Sequence, residues 1–227
     1  WFGMLITGFS YKMLPMFYLS HHYPVRLQKI VLLLWNAAVI TGVVAFLADM
    51  KRGLLWLALL LLTAGMLVYV YHLEQIQEKR HKNNPGPGIR WSVYVSRALA
   101  ALMVALLIYA SQGPELLLHP RVVLLAGWVY LGGWVSLTIL GYASKIVPFL
   151  WWTHKYGKQA GKPGTPLMAG MLNQRHVSWG LIAMATSSLL LVSGVLINLA
   201  EVMMVGGTLL SIFSMAYIFM IARVFQH

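Results

Sequence analysis

Seven long apolar runs divide the chain, and they constrain its fold more than any other feature of the sequence. A helix needs roughly 20 apolar residues to cross about 30 Å of hydrocarbon. The runs therefore predict an all-α protein, a polytopic bundle of about seven transmembrane helices. The predicted spans are 1–20, 28–48, 53–75, 91–111, 122–152, 177–199 and 203–225.

The composition supports this interpretation. Hydrophobic residues make up 59% of the 227 residues and charged residues only 10%, whereas a soluble domain carries about 25% charged residues. The fifth run is too long for one perpendicular crossing. We therefore expect it to tilt, to kink at Pro148 or to project beyond the bilayer.

Basic residues are distributed unevenly between the two sets of loops, which predicts the orientation. The loops that follow spans one, three and five carry ten lysines and arginines, and the opposite loops carry three. The first set is therefore predicted to be cytoplasmic, with Trp1 external and His227 cytoplasmic, in the inner membrane of a prokaryote. The ten are Arg26, Lys29, Lys79, Arg80, Lys82, Arg90, Lys155, Lys158, Lys162 and Arg175; the three are Lys51, Arg52 and Arg121.

The net charge of +12 comes from 17 basic residues against five acidic ones. In a membrane protein such an excess reflects topology and attraction to anionic lipids. A nucleic-acid-binding domain would need a long polar segment with clustered charge, which this sequence does not contain. The expected partners are therefore the bilayer, its anionic lipids and other membrane or redox subunits, with no nucleic acid.

Two stretches of the sequence, "GFSYKMLPMF" at 8–17 and "GYASKIVPFL" at 141–150, resemble each other. A shift of 133 residues aligns 1–23 with 134–156 and gives seven identities. This predicts an internal repeat of four-helix units in parallel orientation. The identical positions are Trp1, Ile6, Gly8, Lys12, Pro15, His21 and Tyr23, with Trp134, Ile139, Gly141, Lys145, Pro148, His154 and Tyr156.

The repeat also predicts where the units divide. Residues 1–90 would form a first unit that lacks its opening helix and includes a cytoplasmic loop, and residues 91–227 would form the second. We accordingly expect the natural chain to have at least eight spans and to extend beyond Trp1. Small residues at Gly132, Gly133 and Gly141 predict close helix packing along the fifth span.

Lys12 and Lys145 each lie nine residues before a histidine at the end of a span, about 13 Å along a helix. Two interpretations stay open for them. Their stems can snorkel to the lipid headgroups, beside a helix end that is kinked at the following proline. Alternatively, the two lysines form a paired cationic site for an anionic group.

Further candidate binding residues lie at a similar predicted depth. Arg97 falls about two turns into span four, and His72, Glu74 and Glu78 lie at the end of span three. Glu74 is a natural ion-pair partner for Arg97 or for one of the lysines. The candidate site therefore comprises Lys12, Arg97 and Lys145, with His72, and it would bind an anionic lipid, a haem propionate or a partner's carboxylate.

The sequence contains no pattern that assigns an enzymatic reaction or a metal site. It has no cysteine, and no nucleophile triad, carboxylate pair or H-E-x-x-H motif is recognisable. Seven of the eight histidines lie on or near the predicted cytoplasmic side, and no pair of them shares a helix face at a spacing of four. Haem is therefore expected only if missing sequence or partner subunits supply its ligands.

The stretches "GFSYKMLPMF…SHH" and "GGWVSLTILGYASKIVPFLWWTH" resemble the haem–copper-oxidase-like membrane proteins, which include oxidase subunit I and its smaller relatives. The resemblance covers about 50 of the 227 residues. It implies four-helix quasi-repeats and a place in a respiratory chain. Those proteins carry haem-ligating histidines upstream of the Gly-Trp in the same helix, whereas "RVVLLAGWVYLGGW" contains none.

Three functions are therefore compatible with the sequence. The first is a membrane subunit of a respiratory or redox assembly, a scaffold or anchor for electron transport with few or no cofactors of its own. The second is a transporter or channel for a small solute or ion, suggested by the parallel repeat and the kinked helices. The third is an oxidase-like enzyme whose haem ligands lie outside this sequence.

Overall fold

The computed structural model describes residues 2–159, 162, 164–167 and 170–226. Trp1 and His227, whose sides of the membrane are predicted above, lie outside the described residues. The described part is helical and contains no strand, which confirms the all-α fold. Its α-helices are α1 (Phe2–Tyr18), α2 (Arg26–Leu47), α3 (Arg52–Glu78), α4 (Pro87–Ser111), α5 (Pro120–Trp128), α6 (Ser136–Tyr156), α7 (Gln174–Ile197) and α8 (Ala200–Ala222).

Six helical segments are long and apolar enough to cross a membrane, and they correspond to predicted spans two to seven. In each segment, at most 28% of the most apolar 18-residue stretch is buried inside the protein. The remaining apolar surface needs a lipid environment, so the chain is an integral membrane protein. The first predicted span corresponds to α1, whose 17 described residues extend about 25 Å, and its crossing of the membrane stays a prediction. The six segments are Arg26–Leu47, Arg52–Glu78, Pro87–Ser111, Pro120–Gln159, Gln174–Ile197 and Ala200–Gln226.

The long fifth run forms one continuous helical segment of 40 residues, about 60 Å at 1.5 Å per residue. A π-helical stretch, Val129–Val135, joins α5 to α6. The Ser136 hydroxyl donates a hydrogen bond to the Leu131 carbonyl five residues earlier. The sequence predicts a kink at Pro148, whereas the wider turn of the π-helix lies around the Gly132–Gly133 pair.

The chain forms two compact units. Unit 1 comprises residues 1–85 and 93–130, and unit 2 comprises residues 86–92 and 131–227. The boundary between Tyr130 and Leu131 falls inside the π-helical stretch. These units follow spatial contacts, whereas the predicted division at residue 90 follows the sequence repeat, and that division stays a prediction.

Glycines on two helices make room for a central tryptophan in unit 1. Trp35 of α2 is buried. A Cβ atom added to Gly3 of α1 would lie 2.4 Å from its indole ring, and one added to Gly65 of α3 would lie 2.1 Å from the ring. Only glycine can occupy such positions without moving the ring. This packing joins α1, α2 and α3 into one core.

In unit 2 the first turn of α4 packs against α6 with backbone touching backbone. A Cβ atom on Gly141 would lie 2.6 Å from the Gly88 carbonyl oxygen, and one on Gly88 would lie 2.2 Å from the Gly141 oxygen. The predicted close packing at Gly141 is confirmed. The prediction of close packing at Gly133 is wrong, because a Cβ atom added to Gly133 would meet nothing within 4 Å.

The two helices of the predicted repeat share one feature. Pro15 lies inside α1 and Pro148 inside α6, and both prolines are buried. Their local surroundings differ at the aligned glycines, since a Cβ atom on Gly8 would meet nothing within 4 Å. The repeat itself stays a prediction.

Candidate functional site

A histidine and two tyrosines form the most distinctive polar cluster of unit 1. His72 of α3 is fully buried, with 0% of its surface exposed. Its ring centroid lies 5.0 Å from that of Tyr11 on α1 and 5.8 Å from that of Tyr23 in the following loop. Both imidazole nitrogens and the Tyr11 hydroxyl oxygen are buried without a hydrogen-bond partner among the described residues. We call these three residues the His72 cluster.

The sequence places His72 inside the protein through helical periodicity. Tyr69, His72, Leu73 and Ile76 recur on one face of α3, and each is at most 1% exposed. This is the i, i+3, i+4, i+7 spacing of a buried helix face. His72 is therefore enclosed because it lies on the face that α3 turns toward the rest of unit 1.

Hydrogen bonds between side chains hold α1 and the segment after it against α3. The Tyr69 hydroxyl donates to the Ser10 hydroxyl at 2.9 Å. The Ser20 hydroxyl donates to the Ile76 carbonyl at 2.7 Å. Because these bonds lie on either side of His72 along α3, they fix the position of Tyr11 and Tyr23 beside the imidazole.

An unpartnered buried polar group lowers stability by about 1–3 kcal/mol. Imidazole and phenol groups also exchange protons, and an ionisable residue inside a membrane bundle is a functional-site hypothesis by default. The His72 cluster can therefore accept, hold or donate a proton, or bind a small polar group, within the bundle.

The described residues do not fit a haem at His72. A haem iron needs open space over the axial nitrogen, but His72 is completely enclosed and has two tyrosine rings within 6 Å. In the described ranges, no group of three histidine, aspartate or glutamate side chains could hold a metal ion.

A second polar group surrounds Arg97 on α4. Its Nε atom lies 3.4 Å from Glu74 Oε1, so the predicted pairing of Glu74 with Arg97 is present. Its guanidinium also donates to the Gln77 side-chain oxygen at 3.0 Å, and the Gln77 amide donates to the Tyr18 hydroxyl at 2.8 Å. These contacts link α4 through α3 to the end of α1, and they balance the charge of Arg97 locally.

Replacing Arg97 with glutamine is expected to lower the free energy of unfolding by about 1 kcal/mol or less. The reason is that both partners of the ion pair are partly exposed, 40% and 44%, and such pairs contribute little. Thermal unfolding of Arg97→Gln, Glu74→Gln and the double variant would give the coupling energy. A loss above about 3 kcal/mol would instead indicate a fully desolvated charge.

The two lysines of the predicted cationic site have different surroundings. Lys12 is exposed on α1 in unit 1. Lys145 is half-buried on α6 in unit 2, where its amine lies beside Gly86 and the Gln174 side chain. Because Lys12 and Arg97 belong to unit 1 and Lys145 to unit 2, a common pocket of the three stays a prediction.

His72 and Arg97 were predicted from the sequence, whereas Tyr11, Tyr23 and Gln77 were not. Tyrosine beside a membrane interface is common and carries no specific signal. Tyr11 directly precedes Lys12, but its position beside His72 depends on which helices pack together. A single sequence does not reveal that pairing.

Comparisons with known proteins assign no family to this chain. No protein-family model matches the sequence, and no curated protein and no solved structure matches it.

Proposed function

We propose that this chain is an integral membrane subunit of a respiratory or redox assembly in the inner membrane of a prokaryote. In this role it is a scaffold or anchor, similar to the haem–copper-oxidase-like proteins, and it contributes proton-exchanging groups rather than a haem. The single observation that carries the proposal is the His72 cluster, because a fully buried imidazole without a hydrogen-bond partner is costly to maintain.

The sequence motifs support the redox part of the proposal. The Lys-x-x-Pro pattern occurs in α1 and again in α6, at Lys12 with Pro15 and at Lys145 with Pro148. These are the stretches that resemble the oxidase-like family. Membrane redox assemblies couple electron transfer to proton transfer. The side chains of His72 and Tyr11 are suited to proton transfer.

A proton-coupled transporter is the second candidate, and the same cluster favours it. Chains of histidine and carboxylate groups serve as proton relays in pumps and transporters. An open pathway would be needed as well, but His72 is completely enclosed within unit 1. This enclosure favours a fixed subunit over a transporter that alternates its access.

Purification from native membranes under mild conditions tests the proposal. We expect the chain to be isolated together with subunits that carry redox centres, and the isolated assembly to give a reduced-minus-oxidised difference spectrum. A chain that is isolated alone, free of redox centres, and that moves a solute in liposomes would favour the transporter. Haem bands from the chain alone would favour the oxidase-like enzyme.

The predicted topology can be tested with single cysteines, since these 227 residues contain none. A cysteine replacing Lys158 is expected to react with a membrane-impermeant maleimide only from the cytoplasmic side. A cysteine replacing Lys51 is expected to react only from the opposite side, which makes it the matched control. Labelling of position 158 from outside intact cells would overturn the orientation.

A further inference from the structure

A groove runs along the surface of unit 1 between α1 and α2. It has a volume of about 290 Å³ and is lined mainly by apolar side chains, with Tyr11, Gln28 and Lys29 as its main polar members. Gly8 and Lys29 are both exposed. The groove is therefore open to the surroundings of the protein along its length.

Gly8 keeps this groove open. A Cβ atom added at Gly8 would meet nothing within 4 Å, so the glycine is not needed for helix packing there. The contrast with Gly141, which packs against backbone, shows that the aligned glycines have different roles. At Gly8 the missing side chain leaves space that an elongated apolar molecule can fill.

The ammonium group of Lys29 is available for a ligand. The exposed Lys29 side chain forms no ion pair or hydrogen bond with the described residues. The Tyr11 hydroxyl oxygen is buried, so Lys29 rather than Tyr11 is the polar side chain that a headgroup can reach. One cation thus lies on a groove that is otherwise mainly apolar.

The order of these groups along the helix axes matches the order of groups in a phospholipid. Lys29 lies three residues into α2, about 5 Å from its first residue. Tyr11 lies seven residues before the end of α1, about 10 Å from that end along the helix axis, and Gly8 lies about 15 Å from it. In a phospholipid the phosphate comes first, then the ester carbonyls and then the acyl chain.

We propose that this groove binds one anionic phospholipid. The phosphate group contacts the Lys29 ammonium group and the Gln28 amide. The glycerol and ester groups lie beside Tyr11, and one acyl chain lies along Gly8 toward Trp35. Charge complementarity selects this occupant, since the cation of the groove has no carboxylate of its own. The inference does not depend on the redox role proposed above.

Native mass spectrometry of the purified chain, with defined lipids added, tests the inference. We expect one phosphatidylglycerol per chain to be retained, about fivefold more strongly than phosphatidylcholine with the same acyl chains. Lys29→Gln should remove this preference. Gly8→Phe should abolish retention because its ring fills the groove. Gly8→Leu fills less of the groove and should also reduce retention, and it replaces Gly8→Phe if phenylalanine impairs folding.

Two matched controls separate the groove from general effects. Gly127→Phe adds the same ring where a Cβ atom also meets nothing within 4 Å, and Lys158→Gln removes a lysine from a different part of the chain. Both should retain phosphatidylglycerol like the wild type. Equal retention of the two lipids, displacement of phosphatidylglycerol by an isoprenoid quinone, or undiminished retention in folded Gly8→Phe and Gly8→Leu would overturn the proposal.

Discussion

Gly141→Val is expected to destabilise the folded protein strongly. The added side chain begins 2.6 Å from the Gly88 carbonyl oxygen, and the contact involves backbone on both sides, so no side-chain rotation can relieve it. Overpacking costs 1–3 kcal/mol and occasionally more. We expect a loss of about 3 kcal/mol or more, which lowers the midpoint of thermal unfolding by roughly 10 °C.

Gly8→Val is the matched control for this variant. The two glycines align in the predicted repeat, both lie inside helices, and the substitution is identical. A Cβ atom at Gly8 meets nothing within 4 Å, so Gly8→Val should shift the midpoint by no more than about 2 °C. Thermal unfolding in detergent, followed by size-exclusion chromatography, measures both. Equal destabilisation by the two substitutions would contradict the packing described for α4 and α6.

His72→Leu is expected to stabilise the protein and at the same time to remove its function. Leucine fills a comparable volume and eliminates two buried nitrogens that have no hydrogen-bond partner. Relief of that cost should raise the free energy of unfolding by about 1–3 kcal/mol, which is roughly 3–10 °C in the unfolding midpoint. Under the proposed redox function, loss of the proton-exchanging group should lower electron transfer by the assembly at least about tenfold.

Two further variants define what the His72 result means. His176→Leu removes an exposed histidine of α7 and should change neither stability nor function. His72→Ala leaves a cavity and should destabilise the protein by about 2–4 kcal/mol. If His72→Leu lowers stability as much as His72→Ala does, the imidazole has a structural role and the functional interpretation of the cluster fails.

The sequence predicted the spans well because hydropathy and length are direct consequences of bilayer thickness. The end of α3 at Glu78 and the start of α4 at Pro87 differ from the predicted 75 and 91 by three and four residues. Both helices extend about one turn beyond the predicted apolar runs, and Ile76 and Ile89 in those turns are buried in the protein. The π-helical stretch was missed, because two adjacent glycines indicate close packing and an irregular turn equally well.

The site was predicted less completely than the fold. Arg97 with Glu74 could be paired because opposite charges at similar depth attract each other. The contact of His72 with Tyr11 could not be predicted, since it depends on α1 packing against one particular face of α3. The open groove at Gly8 was also missed, because a glycine in a span is most often read as a packing position.

Electron transfer in membrane vesicles tests the redox proposal most directly. Vesicles from cells that lack the chain should oxidise quinol or a reduced donor more slowly than those of the parent. The wild-type chain should restore the rate, and His72→Leu should not. If the rate of electron transfer is the same with and without the chain, while uptake of a solute or ion depends on it, the protein is a transporter and the proposed redox function is wrong.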